Sequence, residues 1–134
     1  MNKHELCIGN YFQVEKNNKL SICRIKSIMR SLIGVRYLDN STDNVKIDKL
    51  IPISITEDLL ETLNFSRNKS NGEVIFEKVI SGFNITVDNT FNSYKEEWHV
   101  HIDDNDFDSC GNINVRYLHQ LQNFIYQVTK IFVE

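Results

Sequence analysis

Four polar residues at alternate positions, Glu97, His99, His101 and Asp103, have the strongest claim to chemistry in this chain of 134 residues. Residues two apart on a strand share a face, so the His-x-His pair could offer two imidazoles to a transition metal, with carboxylates completing the shell. Such a site also needs a rigidly held third ligand and a hydrogen-bonded outer partner, and the sequence identifies neither. Trp98, Val100 and Ile102 occupy the other parity and claim the core, which turns the histidines outward. A small metal-dependent enzyme using His99 and His101 is therefore carried only as an alternative. Non-enzymatic action is expected, with no catalytic residue, metal or cofactor assigned.

Asp104, Asp106 and Asp108 have the alternate spacing of a calcium loop, but Ser109 stands where the sharp turn needs Gly and Val115 where the bidentate Glu belongs. A solvated acidic loop is the better reading. Cys110 with His119, and Cys23 beside Arg24 and Lys26, raise a thiol nucleophile, since nearby cations lower a thiol pKa. No oxyanion motif accompanies them, and structural cysteine is preferred. The three cysteines form no CxxC, against both a disulfide framework and a zinc knuckle. Phosphate-cradling Gly-rich loops, Gly-x-Ser-x-Gly and His-Glu-x-x-His are absent from the sequence.

Two stretches suggest binding instead. Near the front, Arg24, Lys26, Arg30 and Arg36 accompany Tyr11, Phe12 and Tyr37, cations and aromatics of the kind that hold single-stranded nucleic acid. The net charge of −3 divides unequally: residues 1–55 hold nine Lys or Arg against five Asp or Glu (+4), and residues 56–134 hold six against thirteen (−7). The acidic half would repel a polyanion, so nucleic acid stays an alternative. Near the end, Leu118, Leu121, Ile125, Val128 and Phe132 recur at helical spacing, and the opposite side carries His119, Gln120, Gln122, Asn123, Tyr126 and Gln127. No charged residue lies between Arg116 and Lys130. Solvated helix faces usually carry Glu, Lys and Arg. The strip His119, Gln122, Asn123, Tyr126 is accordingly expected to contact a protein partner or a second copy of the chain, with Gln122, Asn123 and Tyr126 favoured for contact and His119 and Gln120 for internal scaffolding.

The elements that position these residues follow from periodicity. Tyr11 to Glu15, Leu20 to Met29, Leu32 to Leu38 and Val45 to Leu50 read as strands, with a hairpin turn at Lys16 to Lys19 and a loop at Asp39 to Asn44. Pro52 makes Ile51 to Ile55 an edge or connector. Thr56 is the expected N-cap of a short helix carrying Leu59, Leu60 and Leu63. Ser66 to Gly72 reads as a loop and module boundary. Strands follow at Glu73 to Ile80, Phe83 to Asp88 and Trp98 to Asp103, with loops at Asn89 to Ser93 and Asp103 to Asn112. Asn112 or Asn114 would cap the last helix, although Ile113 to Val115 could instead prolong a strand.

The helix stretch Tyr117-Leu-His-Gln-Leu-Gln-Asn123 resembles the signature of an uncharacterised family of small proteins from Bacteroides-like gut anaerobes and their prophages. Gly9-Asn10-Tyr11 and Pro52-Ile-Ser-Ile-Thr-Glu57 resemble two further elements of that family, so the likeness spans most of the chain. Relatives end the helix in Leu-Thr-Gly where this chain has Val128-Thr-Lys130. The resemblance implies a shared architecture and brings no activity.

Hydrophobic residues at 41 % and charged residues at 25 % are ordinary globular values. The first residues show no apolar run of signal-peptide length and no segment suits a membrane, so a cytoplasmic location is expected. The expected fold is α+β: a small SH3-like or curled β module over 1–55, then over 56–134 a short helix and an antiparallel sheet packed against a long C-terminal helix. The expected function is that of a non-enzymatic binding or adaptor protein of phage derivation, acting through protein–protein contacts.

Overall fold

Two runs of alternating side chains become two antiparallel sheets, one in each of the units Met1–Ile53 and Ser54–Glu134 of a small α+β fold. The computed structural model describes residues 5–70, 72–89, 97–106, 108–131 and 133.

In the first unit β1 (Tyr11–Lys16), β2 (Lys19–Ile28), β3 (Ile33–Tyr37) and β4 (Thr42–Val45) lie side by side in that order. Lys16 pairs with Lys19, leaving Asn17 and Asn18 as a two-residue turn with φ of 53° and 62°. Asn tolerates this left-handed region, and two successive positive φ values match the twist of the flanking strands. A register shift between Ile25 and Ser27 places a bulge at Lys26. Phe12, Cys23, Ile25, Ile33 and Val35 form the core of the inner face. Among the described residues no ladder joins β1 to β4, so the sheet is open rather than a closed barrel. Ile51 exchanges two backbone hydrogen bonds with Gln13 at the edge of β1, 2.9 and 2.8 Å long, one residue before Pro52, which has no N–H to extend them.

Val45 to Leu50 is not the strand that its alternation suggested. β4 stops at Val45, and Ile47–Lys49 forms a 3-10 turn. Period-two alternation from Val45 would have pointed Lys49 inward and Leu50 outward. The tighter turn resets the phase, burying Leu50 and leaving Lys46, Asp48 and Lys49 exposed.

The second unit begins with Thr56 capping α1 (Glu57–Thr62), its Oγ1 accepting from the Leu59 N–H at 3.1 Å. A five-stranded meander follows: β5 (Ser66–Ser70), β6 (Glu73–Ile80), β7 (Phe83–Asp88), β8 (Trp98–Asp103) and β9 (Ser109–Val115). The expected loop and boundary at Ser66 to Gly72 is thus mostly a strand. An edge strand needs backbone bonds on one side only, so its polar composition costs little. The Asn68 amide adds a 2.8 Å bond to Glu77 on β6. Similarly, much of the expected connection Asp103 to Asn112 belongs to β9, and Asn112 and Asn114 pair with His101 and His99 instead of capping a helix. The expected loop at Asn89 to Ser93 falls largely outside the described residues, as does Phe132.

The C-terminal helix α2 (Leu118–Thr129) has 12 residues, three turns rather than a long helix. It packs on β8 and β9. Its N-cap is Tyr117, and the Gln120 side chain carries the reciprocal half of a capping arrangement: Oε1 accepts from the N–H groups of Arg116 and Tyr117 at 2.9 and 3.0 Å. Lys130, with φ 61°, takes the left-handed position that glycine favours and ends the helix.

The β6–β7 turn contains Ser81 and Gly82, with φ of 46° and 85°, and a Cβ on Gly82 would sit 2.7 Å from the Asn105 side chain. Gly82→Ala should therefore destabilise the protein by about 1–2 kcal/mol or more through left-handed strain and crowding. Urea denaturation monitored by Trp98 fluorescence checks this, with Ser81→Gly expected to be neutral or stabilising.

Candidate functional site

His99, His101 and Asp103 do share the outer face of β8, as their alternation required. His99 pairs across the sheet with Asp88 and Asn114, and His101 with Thr86 and Asn112. The His101 Nε2 lies 2.6 Å from Asp103 Oδ1, whereas Glu97 is directed to Arg116 at 3.7 Å. Among the described residues no group of three or more His, Cys, Asp or Glu side chains is placed to hold a metal ion. His101 and Asp103 are thus engaged with each other, and among the described residues no third ligand joins the histidine pair.

Asp104 spends its carboxylate on the β8–β9 turn, its Oδ1 accepting from the N–H groups of Asp106 and Asp108 at 2.9 Å each. This is local turn chemistry of the Asx type. The thiols are no better placed for nucleophilic work. Cys23 points into the core while Arg24 and Lys26 point outward, because adjacent strand residues take opposite faces. Burial pushes its thiol up to about 11. Burial likewise raises Cys7. Cys110 is raised by desolvation and then by the negative charges of Asp104, Asp103 and Asp108. A catalytic thiol needs the opposite shift.

The amide strip of α2 is divided. His119 and Gln122 are 2 % and 1 % exposed, whereas Asn123 is half-buried and Tyr126 is 44 % exposed. The His119 ring stacks on Tyr117, with centroids 6.0 Å apart. Gln122 donates from Nε2 to the Val133 carbonyl at 2.8 Å, and Val133 is itself buried. Thr129 Oγ1 donates to the Ile125 carbonyl at 2.7 Å and accepts from the Ile131 N–H at 3.1 Å. The amide of Gln122 therefore fastens the segment after the helix, and of the four residues expected to make a contact Asn123 and Tyr126 are the ones left accessible. Helical spacing alone could not show this, because the covering group comes from residues beyond the helix.

The basic residues of the first unit are brought together better. Tyr11, Arg24, Arg36 and Thr42 stand opposite one another across β1 to β4, one row on the outer face. The Arg24 guanidinium lies 5.9 Å from the Tyr11 ring centroid. Lys26 is exposed at the bulge, and Arg30 is exposed between β2 and β3. Of the three aromatics expected to stack on bases, Phe12 is buried in the core and Tyr37 is nearly so, with Lys16 Nζ 4.4 Å over its ring. Only Tyr11 keeps a partly exposed ring.

The neighbours of that row are exposed and apolar, and no sequence motif singles them out. Leu20, Ile22 and Leu38 are 57 %, 39 % and 74 % exposed and line one groove together with Lys16, Lys19 and Asp39. A signal for them existed: β2 has apolar residues on both parities, Cys23 and Ile25 on one and Leu20 and Ile22 on the other. One face alone can meet the core, so the second set had to be covered by something else or left bare.

The chain matches no described protein family, no curated protein and no solved structure. Among the described residues no helix is long and apolar enough to cross a membrane.

Gln122→Met keeps the size of the side chain and removes the bond to Val133. It should cost about 1–3 kcal/mol, because a buried carbonyl loses its donor. Tyr126→Ala, at an exposed site, should stay within about 0.5 kcal/mol of the wild type. Chemical denaturation of the two variants side by side makes the comparison, and equal effects would return Gln122 to the surface.

Proposed function

We propose that this chain is a non-enzymatic binding or adaptor protein that works through protein–protein contacts, with the outer face of its first sheet as the contact surface. One observation carries the reading: Leu20, Ile22 and Leu38 are exposed together in a groove edged by Lys16 and Lys19. Exposed aliphatic side chains that lie together on a small domain are left uncovered at a cost, and a partner that buries them recovers roughly 25 cal/mol for each Å² of apolar area. In this reading the first unit acts as a curled, SH3-like module, and Asn123 and Tyr126 of α2 offer a second, smaller contact. A cytoplasmic, phage-associated setting agrees with the resemblance of Tyr117 to Asn123 to a signature found in prophage-borne proteins.

The alternative of single-stranded nucleic acid draws on the row of Tyr11, Arg24 and Arg36. Burial of Phe12 and Tyr37 weakens it, because stacking on aromatic rings supplies much of the affinity of such modules. The metal-dependent alternative rests on His99 and His101 without a third ligand among the described residues.

The test is quantitative affinity capture from the native host with three baits: the wild type, Leu38→Asp and Tyr126→Ala. The expected result is a protein retained by the wild type and by Tyr126→Ala but lost at least tenfold with Leu38→Asp. If all three baits capture the same proteins equally, or if the captured material is nucleic acid, the reading fails.

A further inference from the structure

We infer that the outer face of the first sheet takes an acidic polypeptide segment bearing aliphatic side chains; this rests on the protein-binding reading above and names the class of partner. Register divides the face into two parts. Toward the β1–β2 turn lies the apolar groove of Leu20, Ile22 and Leu38, with Lys16 and Lys19 at its edge. Two residues further along β2, Arg24 stands directly opposite Arg36. From there a shallow groove runs past Lys26 and Arg36 to Thr42, Asp43 and Asn44 on β4.

Like charges placed directly opposite each other destabilise a sheet. A carboxylate seated in the groove of Lys26 and Arg36 offsets that effect from the Arg36 side, and it matches the planar fork of arginine with two parallel hydrogen bonds. Of the acids near the face, Glu15 pairs with Leu20 and Asp39 bonds to Ser41 at the apolar end, while Asp43 lines the basic groove with its carboxylate accepting from the Tyr37 hydroxyl at 3.4 Å and the Asn44 N–H at 2.8 Å. The aliphatic part gains only from an apolar partner, because removal from water is its driving force. One ligand must then bring aliphatic groups and carboxylates in sequence. Ile22 and Arg24 are two residues apart on a strand, about 7 Å. An extended peptide reproduces that step with alternate residues, so a segment with aliphatic side chains at two alternate positions followed by acids at the next ones fits both parts. A single-stranded nucleic acid would supply the anions but no aliphatic surface.

The test uses the full chain and a fluorescein-labelled peptide that carries two Leu and then three Glu at alternate positions, with Ser between. Fluorescence anisotropy should show saturable binding that weakens from 50 to 300 mM salt, since exposed charge pairs are screened. Arg36→Glu and Leu38→Asp should each lower affinity at least tenfold without moving the melting temperature, and so should replacing the Glu residues of the peptide by Gln or its Leu residues by Ser. Arg36→Glu carries the test if Leu38→Asp alters the fold. Absence of binding, equal binding by the variants, or tighter binding of a dodecamer of thymidylate would overturn the inference. So would light scattering that finds the face occupied by a second copy of the chain, sensitive to Leu38→Asp and not displaced by the peptide. If the peptide fails while Leu38-dependent protein capture persists, the acidic class falls and the protein-binding reading stands; if both fail, both fall.

Discussion

A side chain on a strand can point in only two directions, and in each unit one of them leads to a core. Everything distinctive about this protein follows from what occupies the other direction. In the first unit the inner face takes Phe12, Cys23, Ile25 and Val35, and the outer face is left with an apolar cluster beside a pair of arginines. In the second unit the inner face takes Ile85, Val87, Trp98, Val100 and Ile102, and the outer face around β8 is polar, with His99, His101, Asp88 and Asp103, while Val79 on β6 is its exposed aliphatic exception. The two outer faces thus differ in chemistry although the same alternation produces both. An exposed polar face satisfied by water and neighbours is stable as it stands, whereas an exposed aliphatic one is not.

Within the second unit the indole of Trp98 holds the parts in place. It packs edge-on against Phe76, with ring centroids 6.1 Å apart, and its Nε1–H donates to the Ile55 carbonyl at 3.1 Å. The Ile55 N–H in turn donates to the Arg116 carbonyl at 3.1 Å, just before α2. The start of the unit, its sheet and its last helix are therefore joined through three consecutive contacts, two of them hydrogen bonds. A buried indole needs a partner for its N–H, and here the partner is the strand-like segment that leads into α1.

Much of this fold was legible in the sequence, and the reason differs from element to element. The Asn17-Asn18 turn, the Thr56 cap and the alternation of Phe83 to Asp88 and Trp98 to Asp103 are local signals, set by groups within a few residues. β5 was not legible, since Ser66–Ser70 has no apolar parity and is held by backbone bonds to β6 together with the Asn68–Glu77 side-chain bond. The 3-10 turn after β4 was hidden for another reason: alternation continues through Val45 and Ile47, and only the need to bury Leu50 breaks it. For the candidate sites, the outward direction of His99 and His101 and the grouping of Arg24 with Arg36 could be anticipated. The burial of Gln122 could not, because its partner Val133 lies beyond the helix and reaches it through tertiary folding.

The placement of Trp98 and Cys23 has a practical side. Trp98 is the chain's single tryptophan and sits in the core of the second unit, while Cys23 sits in the core of the first with its thiol almost wholly shielded. Indole emission therefore follows the loosening of one unit, and the rate at which a thiol reagent reaches Cys23 follows the opening of the other. Nature has thus given this chain two separate reporters, and any difference between them measures how far the two halves unfold as one.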